Sequence, residues 1–565
     1  MRFKAQHKGS KTQRGGKLRL VCIAVSLCFW VSFSPIIAQD DSLAALSLEQ
    51  RAAQMFFVHL YGSSLNEAGR EFLARWQPGG VVLTDDNTGA PEDVTRLVNR
   101  YQQTIIEASG LPLLVAADQE GGPIAALETG FTQFPTPTLL TAAGDPALAA
   151  AIGAAMAEEL RAVGVNMNLA PVADLEPTIG SGVLARRSFG SDPALVGPAL
   201  AGFVTGLQGA GVVATAKHFP GHGATGADSH TMLPVVDLSR EHLESVELAP
   251  FRAAVAAGVE AVMAAHIAYP ALEPQADLPA SLSPHILTGL LREDMQFDGL
   301  ILTDALDMDA IDTRYDYPTA ALMAIQAGAD VLLSAHISPD NHMLAIQAVV
   351  EAVRDGQISE ERINESARRI LSLKDRYGLL DWQPPDPAAA AERVNLAAHE
   401  ALLEQLFRAG VTVALDRNDL IPITPDRPAA LVYPATRVQV ANECQPYHPA
   451  LRLVGVSDSP DDTEIAWAVE AASRAEIVIV FTQNAIENAR QQQLVATLPP
   501  EKTVVVALWS PYDWTTFPGI AGYMVTYSPA RPAVPAACAI LFGAIPAQGR
   551  LAISLGEILP AGSQG

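Results

Sequence analysis

The 565-residue sequence is poor in cysteine and in basic residues. It contains four cysteines, and they lack the spacing of a metal-binding motif. Lys and Arg number 37 against 62 Asp and Glu, which gives a formal net charge of −25. So acidic a chain is not expected to bind nucleic acid or another polyanion. No glycine-rich phosphate loop follows the β-type runs of its C-terminal part, so no nucleotide cofactor is predicted.

The first 38 residues combine positive charge with a short apolar stretch. Seven Lys and Arg and no acidic residue precede residue 39, and the apolar stretch Leu20 to Phe33 is followed by Pro35 and Ala38. About 14 apolar residues are few for a membrane span and typical of a secretory signal. We expect residues 1–38 to be a signal peptide or an N-terminal anchor. The protein would be exported, either secreted or held at the outer face of the cytoplasmic membrane.

Removal of this segment would change both the charge and the cysteine content. The remainder would carry 30 Lys and Arg against 62 acidic residues, a net charge of −32. Cys22 and Cys28 would leave with the signal, and Cys444 and Cys538 would remain. Export permits a disulfide between these two, but the sequence does not establish one.

Eight apolar runs of strand length succeed one another at intervals of roughly 25 to 50 residues. They are Met55 to Val58, Gly80 to Leu83, Leu113 to Ala116, Val165 to Leu169, Gly211 to Ala216, Ala261 to Ala265, Leu300 to Leu302 and Val331 to Leu333. Helix-length stretches such as Ala147 to Val163, His242 to Ala257 and Thr319 to Ala327 lie between them. Continuous apolar strands alternating with helices predict a parallel sheet covered on its faces. Eight such units predict a (β/α)8 barrel over residues 43–383.

A second domain is predicted after a cluster of prolines. Pro384, Pro385 and Pro387 break the helical pattern, so residues 384–399 are interpreted as a linker. Six further apolar runs then alternate with shorter helical stretches, which predicts an α/β sandwich over residues 400–565. The runs are Val411 to Ala414, Ala429 to Val432, Leu451 to Val456, Ile477 to Phe481, Thr503 to Leu508 and Gly522 to Tyr527.

Polar residues follow the predicted barrel strands where those strands end. They are Asp118, Asp174, Lys217, His218, His266 and Asp304. The catalytic face of such a barrel is the rim at the carboxyl ends of its strands. The layout therefore predicts an enzyme.

The segment KHFPGHGATGADSH, from Lys217 to His230, concentrates histidines at this rim. Asp228 stands two residues before His230, where a carboxylate can accept the imidazole N–H and fix its tautomer. This pair is a candidate general acid/base. The alternative is an ordinary loop histidine.

A metal site is the other interpretation of the histidines, with His218, His222, His230 and Asp304 as ligands. Metal-dependent hydrolases on this barrel use an H-x-H motif after the first strand, whereas this chain has the single His59 there. We therefore predict no metal.

Carboxylates at strand ends can serve a glycoside substrate. Asp304, directly after the seventh run, is placed to attack or stabilise an anomeric carbon, and its alternative role is to cap a loop. Asp118, in the motif DQEGG, could bind sugar hydroxyls or cap the turn that its two glycines permit. Lys217 ends a buried strand, although it could be a solvated charge.

Together with these elements, NMNLAPVADL, RRSFGSDP, the long segment from Pro279 to Met308 and AGADVLL resemble glycoside hydrolase family 3. The Asp-Ser-His element resembles the β-N-acetylglucosaminidase branch of that family. The resemblance implies that Asp304 is the nucleophile, His230 the acid/base and Asp228 its orienting partner. It also implies that Asp118, Arg187, Lys217 and His218 hold the N-acetylglucosamine ring, and that His222 shapes the loop.

The chain departs from the pattern at Pro123, where the family commonly has an arginine after DQEGG. A contact to the sugar is therefore in question. The expected protein is a retaining, metal-independent exo-β-N-acetylglucosaminidase that acts on peptidoglycan fragments, chitooligosaccharides or glycans, without a cofactor. Its partner is a carbohydrate, association with the cell wall or membrane surface stays open, and the oligomeric state is not predicted.

Three alternatives remain open at this point. A β-glucosidase or xylosidase of the same family would take its acid from a carboxylate of the second domain, for instance Glu487. An N-acetylglucosamine phosphorylase would use the neutral imidazole, which does not repel phosphate. A catalytically silent cell-wall-binding protein is suggested by Pro123.

Overall fold

The computed structural model describes residues 43–176, 184, 186–225, 227 and 229–565. The predicted signal, residues 1–38, and the candidate Asp228 lie outside the described residues. Within the described ranges, every helix is too short or too polar to cross a membrane.

The first domain is a barrel of eight parallel strands. They are β1 (Phe56–Val58), β2 (Gly80–Leu83), β3 (Leu114–Ala117), β4 (Met167–Asn168), β5 (Val213–Phe219), β6 (Ala261–Ala264), β7 (Leu300–Thr303) and β8 (Leu332–Leu333). Neighbouring strands pair in the order β8-β1-β2-β3-β4-β5-β6-β7, and a parallel bridge between Leu302 and Val331 joins the two ends. The predicted (β/α)8 barrel is therefore confirmed, and each apolar run overlaps a strand, although β3, β5 and β7 extend beyond their runs.

Helices cover the outside of this barrel. The α-helices are Leu48–Gln54, Glu67–Trp76, Pro91–Ser109, Thr138–Ala143, Pro146–Ala162, Pro193–Gly209, Arg240–His242, Ala249–Ala256, Asp309–Asp312, Tyr317–Ala327, Pro339–Arg354 and Glu360–Arg376. Two π-helices, Leu243–Glu247 and His285–Asp294, and three 3-10 turns, Asp85–Asn87, Ala280–Leu282 and Leu379–Asp381, complete the set.

Two predicted elements differ from the structure in detail. The run Val165 to Leu169 forms only the short strand β4, because the side chain of Asn166, at 2.9 Å, accepts the Val115 N–H in place of a ladder carbonyl. The predicted helix His242 to Ala257 is broken. Leu248 N donates to Leu243 O at 2.9 Å, which is a π-type bond. Pro250 lies in the first turn of the next helix, Ala249–Ala256, and has no N–H to donate to the preceding turn.

The second domain contains a mixed six-stranded sheet. Its strands are β9 (Thr412–Asp416), β10 (Ala429–Pro434), β11 (Arg452–Val456), β12 (Ile477–Thr482), β13 (Thr503–Ala507) and β14 (Gly522–Val525), in the order β9-β14-β13-β12-β10-β11. All neighbours are parallel except β9 and β14. This confirms the predicted α/β sandwich.

Helices again accompany these strands. They are Pro387–Ala391, Ala397–Gly410, Gln439–Cys444, Asp462–Ser473, Ala489–Ala496 and Ala533–Leu541, with 3-10 turns at Ala435–Arg437, Ala485–Glu487, Pro500–Lys502 and Pro511–Thr516. Cys444 and Cys538 form a disulfide between two of these helices. The bond that the sequence left open is therefore present.

The predicted linker, residues 384–399, lies against the barrel. It contains the helix Pro387–Ala391, and the side chain of Asn99 donates to the Pro385 carbonyl at 2.8 Å. Further on, Glu159 of the barrel accepts from Asn395 N at 2.8 Å and bonds His399 Nδ1 at 2.7 Å. The linker is thus fixed to the barrel by polar contacts at both of its ends.

Candidate active site

A cavity of about 650 Å³ opens at the carboxyl ends of the barrel strands. Its volume is in the range of small-molecule sites. The predicted residues that line it are Asp118, Arg187, Lys217, His218, His230 and Asp304. The structure therefore brings six of the seven predicted site residues together, and the seventh, Asp228, lies outside the described residues.

Asp304 follows β7 directly. Its N–H donates to Ala264 O at 3.0 Å, and its Oδ1 accepts from Ala305 N at 2.8 Å, so both backbone and carboxylate are fixed. Burial acts to raise the pKa of Asp304, but the imidazoles of His218 and His266 hold the pKa below its ordinary value. The carboxylate is therefore ionised at neutral pH, as a nucleophile must be.

His266 supports the loop that carries Asp304. It is fully buried, with Nδ1 at 2.7 Å from Ser281 Oγ and Nε2 at 2.9 Å from Ala305 O. Burial lowers the pKa of this imidazole. A strand-end histidine identified in the sequence is thus a structural support beneath Asp304.

Glu120 is a site residue that the sequence analysis missed. It is buried, and it accepts from Arg187 Nε at 2.8 Å and Arg187 Nη2 at 2.7 Å, while its Oε1 lies 2.7 Å from Lys217 Nζ. Burial opposes ionisation, but Lys217 and Arg187 lower the pKa of Glu120 to about 2. Two buried cations therefore share one buried carboxylate.

Asp118 completes this network at the cavity surface. It pairs with Lys217 Nζ, and its own side chain is 39% exposed. Because Lys217 pairs with Oδ1, the exposed part of this carboxylate can accept a hydrogen bond from a ligand in the cavity. Asp118, Glu120, Arg187 and Lys217, here called the carboxylate–cation cluster, form one polar wall of the cavity.

A second buried carboxylate orients the histidines of the long motif. Asp174 accepts the backbone N–H of His222 at 2.7 Å and that of His218 at 3.1 Å, and its Oδ2 lies 2.7 Å from His218 Nδ1. Burial opposes its ionisation, but His218 keeps the pKa of Asp174 below its ordinary value. A carboxylate on Nδ1 leaves Nε2 of His218 directed to other partners.

His222 lines the same cavity, and its buried imidazole makes no hydrogen bond to a described residue. It is 3% exposed, yet neither ring nitrogen has a hydrogen-bond partner among the described residues. Burial lowers the pKa of His222, which favours the neutral ring. Because buried polar atoms are rarely left unpaired, this side of the cavity is suited to a polar ligand.

His230 lies on the cavity wall and is exposed. Its neighbour Ser229 accepts the Ala310 N–H at 3.4 Å, which connects this segment to the loop that follows Asp304. The candidate acid/base and the candidate nucleophile therefore line one cavity. The predicted contact between Asp228 and His230 cannot be described, because Asp228 is outside the described residues.

The structure also shows where Pro123 and Glu487 lie and how the metal-type side chains are arranged. Pro123 lines the cavity within a hairpin formed by Gln119–Gly121 and Ile124–Ala125, so the missing arginine does concern the cavity wall. Glu487 pairs with Asn484 in the second domain, and the described lining of the cavity comes from the barrel alone. In the described ranges, no group of three or more His, Cys, Asp and Glu side chains is arranged to hold a metal ion.

The segment that carries Arg187 packs against the second domain. Arg186 stacks over the Trp509 ring, with Cζ 4.6 Å from the centroid. Ser191 N donates to Ala552 O at 3.1 Å, and Ser191 Oγ accepts from Ser554 N at 2.8 Å. At Gly190 a side chain is excluded, because a Cβ would lie 2.4 Å from Ala552 O.

Comparison with known proteins shows that the barrel matches a known enzyme family and several of its members. Residues 47–373 match the model of the family described as "Glycosyl hydrolase family 3 N terminal domain". A β-hexosaminidase of Methylococcus capsulatus is 36% identical over 320 residues, which cover 56% of this chain and 90% of that protein.

Two further relatives extend over both domains. β-Hexosaminidase A of Pseudoalteromonas piscicida is 26% identical over 551 residues, covering 86% of this chain and 90% of that protein. The solved structure of a glycoside hydrolase family 3 β-N-acetylglucosaminidase from Paenibacillus sp. str. FPU-7 is 33% identical, with a TM-score of 0.78. It covers 90% of this chain and 99% of that one.

Proposed function

Because the chain belongs to glycosyl hydrolase family 3, we propose that it is a retaining exo-β-N-acetylglucosaminidase. It would be exported and would remove terminal β-linked N-acetylglucosamine from an oligosaccharide. Its relatives named β-hexosaminidase and β-N-acetylglucosaminidase support the general activity. The observation that carries the proposal is the ionised Asp304, which lines the same cavity as His230 and the carboxylate–cation cluster.

The first step transfers the sugar to the enzyme. Asp304 attacks the anomeric carbon and forms an ester with it, while the bond from that carbon to the leaving oxygen breaks. His230 in its protonated form gives its proton to the leaving oxygen. General acid help of this kind is worth about 10²- to 10⁴-fold in rate.

The second step releases the sugar. His230, now neutral, removes a proton from water as the water oxygen attacks the anomeric carbon, and the ester bond to Asp304 breaks. The carboxylate and the protonated imidazole are both regenerated. Two displacements at one carbon retain its configuration. Asp228 would orient His230 in both steps.

The carboxylate–cation cluster would hold the sugar ring. Charged donors and acceptors form stronger hydrogen bonds than neutral ones. Arg187 and Lys217 are donors only, and Asp118 is an acceptor with an exposed edge. His218, oriented by Asp174, adds a further polar contact. A pyranose with several hydroxyl groups and an amide matches this mixture of donors and acceptors.

The test is to trap the ester. A slowly turned over fluorinated N-acetylglucosaminyl donor should label Asp304, which peptide mapping by mass spectrometry would identify. Asp304→Ala should abolish turnover of nitrophenyl N-acetylglucosaminide for every leaving group, whereas Asp312→Asn, in the exposed end of the helix Asp309–Asp312, should keep both activity and labelling. A label on another carboxylate would overturn the assignment.

The same assay separates the alternatives. Turnover of nitrophenyl glucoside or xyloside in preference to the N-acetylglucosaminide would favour the other glycosidases. In phosphate buffer, formation of N-acetylglucosamine 1-phosphate rather than free N-acetylglucosamine would favour a phosphorylase. Lack of any turnover with intact binding would favour a silent binding protein.

A further inference from the structure

The cavity around Asp304 carries a strong excess of acidic side chains. Among the described residues that line it, seven are acidic and two, Arg187 and Lys217, are permanently basic. Both bases are already paired, Arg187 with Glu120 and Lys217 with Glu120 and Asp118. The cavity therefore offers no unopposed positive charge from these bases to an anionic ligand.

Four of the acidic residues form a separate part of the wall. Asp85 follows β2, Glu128 follows the hairpin after β3, and Asp307 and Asp309 follow Asp304 on the loop after β7. Asp85, Glu128 and Asp309 are exposed. We call these four residues the acidic wall. The carboxylate–cation cluster is proposed to hold the sugar that is transferred, which leaves the acidic wall for the sugar that departs.

Neighbouring groups do little to offset this charge. Asp307 accepts the backbone N–H groups of Ala335 at 2.8 Å and His336 at 2.7 Å, so it is fixed at the wall. The imidazole of His336, 3.3 Å from Asp307 and 74% exposed, is the titratable base closest to this carboxylate among the described pairs. Between residues 176 and 229, the charged residue outside the described ranges is Asp228, which is another acid.

The cavity also shows independently that a polar ligand belongs in it. Both ring nitrogens of His222 are buried at the cavity and have no partner among the described residues. A bound sugar can supply both a donor and an acceptor to them. The acidic wall is thus part of a ligand site and not an isolated surface patch.

We propose that the acidic wall selects the departing sugar by charge, so that the substrate is a chitooligosaccharide with a neutral or amino-sugar aglycone and not a muramic-acid-containing peptidoglycan fragment. The inference rests on the proposed glycosidase function. N-Acetylmuramic acid carries a carboxylate on its lactyl group, which like charges at the wall would repel. A partly deacetylated chitooligosaccharide presents an ammonium group, which they would attract.

The size of the effect follows from charge separation. Two unit charges at about 9 Å in a water-like dielectric change binding by about twofold. Four carboxylates, reduced by ionic screening, should therefore disfavour an anionic aglycone by about tenfold at low salt. At 1 M salt the screening length falls to about 3 Å, so the discrimination should drop below about twofold.

The experiment compares two substrates that differ in the charge of one group and in a single methyl group. The full chain would be given N-acetylglucosaminyl-β-1,4-N-acetylmuramic acid and its methyl ester, at low salt and at 1 M salt, with kcat/KM as the readout. We expect the ester to be favoured by about tenfold at low salt and the difference to vanish at high salt. Equal kcat/KM for acid and ester at low salt would overturn the proposal, as would a difference that salt does not reduce.

A third substrate and a set of variants complete the test. N-Acetylglucosaminyl-β-1,4-glucosamine at about pH 6, where its amine is protonated, should be cleaved faster than the N-acetylated disaccharide at low salt. Asp85→Lys and Asp309→Lys should each raise kcat/KM for the free acid by about fourfold, since each change is worth two unit charges. Asp355→Lys is the matched control, because Asp355 ends the helix Pro339–Arg354 at the opposite end of the barrel.

Failure of this inference is distinguishable from failure of the proposed function. Nitrophenyl N-acetylglucosaminide has an uncharged aglycone, so the Asp355→Lys control should turn it over at the parent rate, and thermal unfolding at the parent temperature would report that Asp85→Lys and Asp309→Lys are folded. If the parent enzyme cleaves it but treats acid and ester alike, the charge selection is wrong and the glycosidase stands. If the parent enzyme cleaves none of these substrates, the proposed function itself is wrong.

Discussion

Glu120→Gln is the most informative single change in the cavity. It keeps the size and shape of the side chain but removes the negative charge that Arg187 and Lys217 share. Asp118 still pairs with Lys217, whereas the two hydrogen bonds from Arg187 lose their ionised acceptor. Two buried cations would then have one carboxylate between them, and that carboxylate is partly exposed.

The cost can be worked out from the ionisation of Glu120. Its pKa is lowered from 4.5 to about 2, and each unit corresponds to about 1.4 kcal/mol, so the neighbours stabilise the charge by about 3 kcal/mol. Removal of one partner from a buried ion pair costs about 3 to 5 kcal/mol, which agrees. We therefore expect Glu120→Gln to lower the free energy of unfolding by about 3 kcal/mol at neutral pH.

The stability difference between the parent protein and Glu120→Gln should depend on pH. A carboxyl with a lowered pKa stabilises the folded state above its unfolded value of 4.5, and this contribution is lost as the pH falls through about 2. Urea unfolding of parent and variant should therefore differ most at neutral pH, and the difference should shrink steadily below pH 4.5. KM should also rise, because Arg187 and Lys217 lose the group that positions them.

Glu128→Gln is the matched control. Glu128 lines the same cavity but is exposed, so its substitution should change the unfolding free energy by less than about 0.5 kcal/mol. The reasoning would be refuted by a Glu120→Gln cost under about 1 kcal/mol at neutral pH, or by a cost that is the same at pH 7 and pH 3.

Four shorter predictions follow from other parts of the structure. His230→Ala should slow cleavage of a natural glycoside by about 10²- to 10⁴-fold. Glycosylation of Asp304 by an activated nitrophenyl glycoside should slow far less, which burst kinetics would measure. Equal losses for both substrates would mean that His230 has only a structural role. Reduction of Cys444–Cys538, which closes a separation of 94 residues, should cost about 2 to 4 kcal/mol in urea unfolding, and the unreducible Cys444→Ala/Cys538→Ala variant should no longer respond to reductant. Burial raises the pKa of Glu176 to about 8, so its ionisation destabilises the fold as the pH rises above 4.5. Glu176→Gln should therefore raise the free energy of unfolding by about 4 to 5 kcal/mol at pH 9 and leave it unchanged near pH 4. Equal increases at both pH values would exclude this cause. Exhaustive chelation should leave the rate unchanged, and a loss that zinc restores would revive the metal interpretation.

The barrel could be predicted from the sequence because its strands are buried on both faces. Such strands consist of continuous apolar residues, and the eight runs stand out between amphipathic stretches. Other strand ends were visible as well, since a polar residue such as Asp304 follows the apolar run at the rim, but β5 continues through Lys217 and His218 to Phe219. What the runs could not show was hydrogen bonding by side chains, which shortens β4 at Asn166.

The candidate site was only partly predictable, because its network joins residues that are distant in the chain. Glu120 stands within DQEGG, whose glycines drew attention to a turn, and its partners are 67 and 97 residues away. One signal was available, since Asp118 and Glu120 are two residues apart and an extended backbone directs both to one side. Asp174 was visible at a strand end, but its bond to His218 depends on the meeting of two strands. The pairing of Cys444 with Cys538 likewise depends on tertiary packing.

The contact of the second domain with Gly190 and Ser191 has a consequence for how the chain can be divided. Ala552 and Ser554 hold this strip of the barrel, and Arg187 lies three residues before Gly190. A truncated chain that ends before residue 384 would keep every described residue of the cavity wall and still lose the support of its arginine. We therefore expect removal of the second domain to disturb the position of Arg187 in the cavity wall, although every described residue that lines the cavity belongs to the barrel.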